Sequence, residues 1–391
     1  MNHRPDFKTT SHSSGIQCES NADINFQQAL ANAKQFSPIR YAATPKLRLS
    51  ELSLISSFDY QNLLFTHSGG TALSKAGQVL KLDSNTILVP SYHCPAAIEP
   101  FIWLGFKCIF YRVNADLSPD KNHVHQLINQ HDISHCLTIN YFGVICHLPL
   151  IADILASTNI IIIHDCAHAL FDLLSYTKVH NEADATICSI NKILPSIDGG
   201  IVTFKSSVPR PLQPVGFVEE SKAILYLLGI TSIINKLRFA FKKRTEPING
   251  ALDNTKATSL CYFNSSKAEQ QCFSHTIAIL RRSNLNKIAQ RRRENYRYLC
   301  SALKNSGLGT LLKPQLDQHN VPYVLPFLLH DKSHFSKVRQ TGIQCLRWEE
   351  IAQTDCNVSQ DYRSRLLQLP CHHQLSKQEL DAMIKQLKDI L

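Results

Sequence analysis

The chain has 391 residues, enough to bury a large core and to form two domains. An apolar share of 44% with 18% charged residues reads as an ordinary soluble globular protein, and 13 scattered cysteines without a C-x-x-C pair exclude zinc-ribbon spacing and argue against a disulfide scaffold. The formal charge of +10 suits an anionic small molecule; no aromatic–basic motif or helix-turn-helix pattern points to nucleic acid.

Residues 1–35 are polar, lack clear periodicity and lack the apolar core of a signal peptide, so they read as a mobile arm. From Phe65 the chain alternates two periods. "TALSKAGQVLKL" (Thr71–Leu82) has helical spacing, and "TILVP" (Thr86–Pro90) is a buried strand stopped by proline. "AAIEPFIWLG" is a helix ended by Gly105, and "KCIFYRV" (Lys107–Val113) the next strand. Further strands are expected in "HCLTINYFG" (His135–Gly143), "NIIIIHDCAHAL" (Asn159–Leu170), "ATICSI" and "GIVTF" (Gly200–Phe204), with a helix over Leu148–Ala156. Apolar strands alternating with helices predict an α/β fold with a mostly parallel sheet between helices.

After about residue 205 the proline-rich "SSVPRPLQPVG" breaks the pattern, and mostly helical sequence runs to about Leu312. "AILYLLGITSIINKLRFAF" (Ala223–Phe241) is interrupted by Asn235, Lys236 and Arg238, too early to span a bilayer; it reads as a buried or dimer-facing helix. The basic runs "FKKR" (Phe241–Arg244) and "RRRENYR" (Arg291–Arg297) read as solvated helix faces or ends. "PYVLPFLLH" (Pro322–His330) is a strand, Ser333–Thr341 a helix ended by Gly342, and "SKQELDAMIKQLKDIL" an amphipathic helix. In that last helix Leu380, Ile384 and Leu387 share one face, and Ser376 with Glu379 forms a capping box. The expected division is an arm over 1–35, a large domain over 36–250 and a smaller C-terminal α+β domain over 251–391.

Ligands of such sheets gather where strands end. "FTHSGGTALSKAG" places glycines and hydroxyls before a helix start, which suits a phosphate, although an ordinary tight connection has the same residues. Asp165 falls where "IIIIHD" runs out, with His168 three residues on; a helix N-cap would also explain the aspartate. Lys192 follows within "ICSINKILPSIDGG". Together these parts match pyridoxal 5'-phosphate. Its phosphate needs N–H donors, its ring nitrogen a carboxylate, and its aldehyde a lysine amine for a Schiff base.

On these residues the sequence resembles the DegT/StrS-type sugar aminotransferases, of the fold type I pyridoxal-phosphate class. "SGGTAL" resembles the family's phosphate turn, which implies Gly70 and Thr71 against the phosphate, although many members have threonine at the place of Gly70. "LVPSYHCPAAIEPFIWLG" resembles the loop whose side chain stacks on the cofactor ring, a role given to His93 with Tyr92 or Cys94 as alternatives. By the same resemblance Asp165 faces the ring nitrogen, His168 donates to the phenolic oxygen, Ser189 binds phosphate and Lys192 carries the cofactor. "INYFGV", "AQRRRENYRYL", "GIQCLRWEEI" and "LLQLPCHHQLSKQELDAMI" resemble further family segments.

The resemblance implies transamination from glutamate or glutamine to a nucleotide-linked keto sugar in glycan or natural-product assembly. It also implies a homodimer, with Asn264 a candidate for reaching the neighbouring subunit's phosphate site. A lyase or dehydratase on a related sugar and a non-catalytic binding protein are the alternatives. Cysteine usage and the absent signal peptide place the expected enzyme in the cytoplasm, with no metal and no transmembrane segment.

Overall fold

Runs such as "IIIHDC" and "TILVP" are rich in β-branched and apolar side chains on both faces, so they are stable only as strands covered on both sides. In the computed structural model, which describes residues 39–53, 62–174, 182–206, 209–228, 230 and 262–391, they form such a sheet. Its strands are β1 (Leu64–Thr66), β2 (Thr86–Pro90), β3 (Lys107–Tyr111), β4 (His135–Ile139), β5 (Ile161–Cys166), β6 (Ala185–Ser189) and β7 (Gly200–Phe204). They lie in the order β1-β7-β6-β5-β4-β2-β3. The pairs β2–β3, β2–β4, β4–β5 and β5–β6 are parallel, while β7 runs antiparallel to both β6 and β1. Helices α1 (Gly69–Val79), α2 (Pro95–Trp103), α3 (Lys121–Gln130), α4 (Leu148–Leu155) and α5 (Leu170–Leu174) connect the strands. The α/β expectation holds, and so does Gly105 as the stop of α2, with φ +83°.

Beyond β7 come α6 (Phe217–Leu227), α7 (Ser274–Arg282) and the long α8 (Leu285–Leu303). A separate antiparallel sheet follows in the order β10-β9-β8, from β8 (Gly309–Leu311), β9 (Val324–Leu329) and β10 (Leu366–Pro370). It is accompanied by α9 (His334–Gln340), α10 (Asn357–Arg365) and α11 (Lys377–Lys388). The α11 capping box forms in both directions, and Leu380, Met383, Ile384 and Leu387 are buried. Each such side chain contributes about 1.5–3 kcal/mol relative to exposure.

One expectation needs correction. The "RRRENYR" run is not uniformly solvated: Arg291 is exposed and pairs with Glu294, but Arg292 is fully buried. The cause is register, because Ile288, Arg292, Asn295, Tyr296 and Leu299 form one buried stripe along α8. The run "FKKR", the 1–35 arm and the boundary near 250 lie outside the described residues, as does most of Ala223–Phe241. In the described part of that segment Ala223 is buried, whereas Tyr226 of α6 is 65% and Leu228, just after it, 49% exposed. Among the described residues no helix is long and apolar enough to cross a membrane.

Candidate active site

The parallel strands end on one edge of the sheet, and the register of β6 and β1 against β7 brings Ser189 and Thr66 to that same edge beside Gly200. Asp165 is the penultimate residue of β5, the central strand, paired with Ile139 on one side and Ile187 on the other. Its Oδ1 accepts from the Ala167 N–H at 2.7 Å, so it closes a local turn and does not cap a helix. Burial raises the Asp165 pKa, opposed by the charge of Lys192 and by that N–H.

Lys192 belongs to a single helical turn in which the N–H groups of Ile193 and Leu194 both reach the Ile190 carbonyl. The turn carries Lys192 from the end of β6 into a pocket that Asp165 and His168 also line. His168 is held from behind: its Nδ1 accepts from the Phe142 N–H at 3.2 Å. A ring accepting at Nδ1 carries its proton on Nε2 when neutral, and burial beside Lys192 holds His168 well below its ordinary pKa. His168 is therefore a fixed Nε2–H donor. Gly143 makes this packing feasible, since a Cβ there would lie 2.7 Å from the His168 carbonyl.

His93 is not brought into this pocket, which corrects the ring-stacking assignment. Its Nδ1 lies 2.9 Å from the Pro90 carbonyl, its Nε2 accepts from the Ala352 N–H at 3.3 Å, and its ring stacks on Phe110. Both nitrogens are committed to backbone, and burial lowers its pKa to about 4. The residue of that loop in the pocket is Cys94, the alternative one position on. The local sequence could not separate them, because a one-residue slip in a loop exchanges inward and outward side chains.

The turn expected to hold a phosphate opens α1 and brings Gly69 in beside Gly70 and Thr71. Ser68 caps α1 through its Oγ, which accepts from the Thr71 N–H at 3.1 Å, and the Thr71 hydroxyl lies 3.2 Å from the same oxygen. With Thr71 so engaged, the helix-start N–H groups without an intrahelical acceptor are those of Gly69 and Gly70. A Cβ on Gly69 would lie 3.5 Å from Ser189 Cβ, whereas one on Gly70 would face Phe263 at 3.4 Å. Ser189 thus stands beside Gly69, with its hydroxyl donating to Asn191 Oδ1 at 2.8 Å. The "DGG" turn supports this corner. Asp198 accepts from Phe273 N–H and Thr276 Oγ1, Gly199 has φ +115°, and a Cβ on Gly200 would lie 2.2 Å from the Ser68 carbonyl.

Four pocket residues, Ile139, Asn140, Ala167 and Trp348, escaped the sequence reading. Ala167 lies between Asp165 and His168. Asn140, immediately after β4, donates through Nδ2 to Asp172 at 2.8 Å, while its buried Oδ1 has no partner. Trp348, from the loop before α10, closes the pocket and packs 5.6 Å from the His168 ring. Ala167 and Asn140 lie inside recognised motifs. Trp348 sits 156 positions beyond Lys192 (348 − 192), inside "GIQCLRWEEI", a segment in which the sequence assigns no residue a role. Asn264 is exposed and serves as a local cap, accepting from the Ser266 N–H at 3.1 Å. Among the described residues no cluster of metal-ligating side chains occurs.

Residues 46–210 match the sequence model of the DegT/DnrJ/EryC1/StrS aminotransferase family. No curated protein sequence matches the chain significantly. Among solved structures the fold is similar to PseC of Helicobacter pylori, an aminotransferase involved in the biosynthesis of pseudoaminic acid. That match has a TM-score of 0.60 at 16% identity and covers 84% of this chain and 86% of that one. The putative sugar aminotransferase Spr1654 of Streptococcus pneumoniae, in its PMP form, matches with a TM-score of 0.59 at 15% identity over 95% of this chain and 97% of that one. NtdA of Bacillus subtilis, with the cofactor PMP bound, matches with a TM-score of 0.57 at 16% identity over 84% and 73%.

Proposed function

From the match of residues 46–210 to the DegT/DnrJ/EryC1/StrS aminotransferase family model, we propose that this protein is a pyridoxal-phosphate-dependent aminotransferase acting on a keto sugar. The observation that carries the reading is the convergence of one amine, one carboxylate and one fixed N–H donor on a single pocket: Lys192, Asp165 and His168.

The residues present fit the cofactor. Lys192 answers its aldehyde, Asp165 its ring nitrogen, and His168 Nε2–H its phenolic oxygen. Gly69, Gly70, Thr71 and Ser189 form the phosphate corner, and Cys94 and Ala167 supply the walls for the ring. The orphaned Asn140 Oδ1 is a further buried polar atom awaiting a donor. When bound, pyridoxal phosphate supplies an aldehyde that captures amines and a ring that takes up the electron pair left when a carbon loses its proton. Asp165 keeps a proton on the ring nitrogen. Lys192 Nζ is the one amine among the pocket's lining residues and would act as the base and then the acid that moves the proton at the substrate carbon. Trp348 shields this exchange from water.

The amino donor in this reading is glutamate or glutamine and the acceptor a nucleotide-linked keto sugar; the net charge of +10 suits such a diphosphate. The exposed Tyr226 of α6 and Leu228 just after it support a homodimer, and the uniformly free described cysteines a reducing cytoplasm. The test is spectroscopic. The purified protein should bind pyridoxal phosphate with a visible band that glutamate bleaches, and Lys192→Ala should abolish that band. A wild type without the band, or a band unchanged in Lys192→Ala, overturns the reading. A band that no amino donor discharges favours a lyase or a binding protein.

A further inference from the structure

Arg292 is the largest fully buried side chain of the described residues. Among them it makes no ion pair. Its guanidinium instead serves three backbone carbonyls. Nη2 donates to Ile193 at 3.0 Å, while Nη1 donates to Pro322 at 3.1 Å and to Tyr323 at 3.0 Å. Burying a cation without a counter-charge is costly, so the arrangement asks what the three carbonyls share.

Each leads to the pocket. Ile193 adjoins Lys192, and its one-turn helix stops at Pro195, so the Ile193 carbonyl has no continuing helix to supply a donor. Tyr323 packs its ring 4.6 Å from His168, and its own N–H donates to the Phe142 carbonyl at 2.8 Å. Phe142 in turn donates its N–H to His168 Nδ1. An unbroken chain of hydrogen bonds therefore runs from the Lys192 turn through Arg292 and Tyr323 to His168.

We propose that Arg292 is a positioning residue, which sets the placement of Lys192 against His168 by clamping the Lys192 turn to the Tyr323 segment. The inference rests on the cofactor reading above. Lysine cannot reproduce the planar fork that serves all three carbonyls, so Arg292→Lys keeps the charge and loses the geometry.

The test compares wild type, Arg292→Lys, Arg292→Met and the exposed control Arg291→Met. Each is loaded with pyridoxal phosphate, trapped with borohydride and mapped by mass spectrometry at Lys192. The pH titration of the visible band, the rate of its bleaching by glutamate and thermal stability are then measured. Arg292→Lys is expected to slow bleaching about 10-fold or more and to displace the band's titration, as misplacement of reacting groups does. Arg291→Met should behave as wild type. Arg292→Lys that melts earlier yet bleaches and titrates as wild type overturns the proposal and leaves a structural role. If Arg292→Met does not fold, Arg292→Lys decides alone. Wild-type protein that forms no adduct at Lys192 overturns the cofactor reading itself, and the positioning role with it.

Discussion

At the scale of single residues, His93 and Cys94 divide two tasks within one loop. His93 joins the sheet to the Ala352 segment through backbone bonds and a stacked ring, whereas Cys94 lines the pocket with Lys192. His93→Gln should therefore lower the melting temperature by removing a buried stacked ring, at a cost of about 1–2 kcal/mol, and leave the cofactor band in place. Cys94→Ala should do the reverse, weakening retention of pyridoxal phosphate on dialysis with little change in melting. Loss of the band in His93→Gln alone would restore the stacking role to His93. Asp165, His168 and Lys192 were legible because chemistry and spacing agree at the ends of two adjacent strands, β5 and β6. The Cys94 and Gly69 positions were not, because a loop slip of one residue costs nothing in sequence pattern.

At the scale of elements, the phosphate corner depends on how closely β7 approaches the start of α1. Gly200→Ala would push a Cβ to 2.2 Å from the Ser68 carbonyl and 2.4 Å from Thr66 Oγ1, where only backbone movement can relieve it. The expected cost is about 1–3 kcal/mol, with weakened binding of pyridoxal phosphate because the Ser68 turn must shift. Gly105→Ala is the informative contrast. Gly105 has positive φ, unlike Gly200, but meets no atom within 4 Å, so the change should cost about 1–2 kcal/mol and spare cofactor binding. Differential scanning calorimetry with a cofactor titration separates the two; equal cofactor affinities would refute the link between β7 and the phosphate turn. The elements themselves were largely legible from Thr71 to Phe204, since strand and helix periods alternate cleanly there. The solvated reading of "RRRENYR" failed because charge composition conceals the register that puts Arg292 inward.

At the scale of the molecule, buried imidazoles govern the response to acid. Burial lowers His93 to about 4 and His372 and His373 to about 3, with the Arg292 charge a further cause for the latter two. An unfolded histidine titrates near 6.5, so between that pH and the folded values the unfolded chain binds more protons. The stability these residues contribute is present above pH 6.5 and lost as pH falls toward 4 and then 3. Asp172 acts oppositely: burial raises it to about 6, and its contribution is lost as pH rises through that value. Three histidines outweigh one carboxyl, so melting temperature should fall between pH 7.5 and 5, and His93→Gln should make the fall shallower. A flat profile over that range would refute the assignment of neutral buried rings.

The sequence by itself determined the α/β order, the parallel sheet and the three groups whose chemistry pairs with the cofactor, because each rests on local period or on a motif at a strand end. Tertiary structure decided which neighbour faces the pocket, which arginine is buried, and that Trp348 closes a site built from strands more than 150 residues earlier (348 − 192 = 156). Those features depend on register between segments distant in the chain. No local pattern encodes such register; it follows only when the two sheets pack and their loops meet.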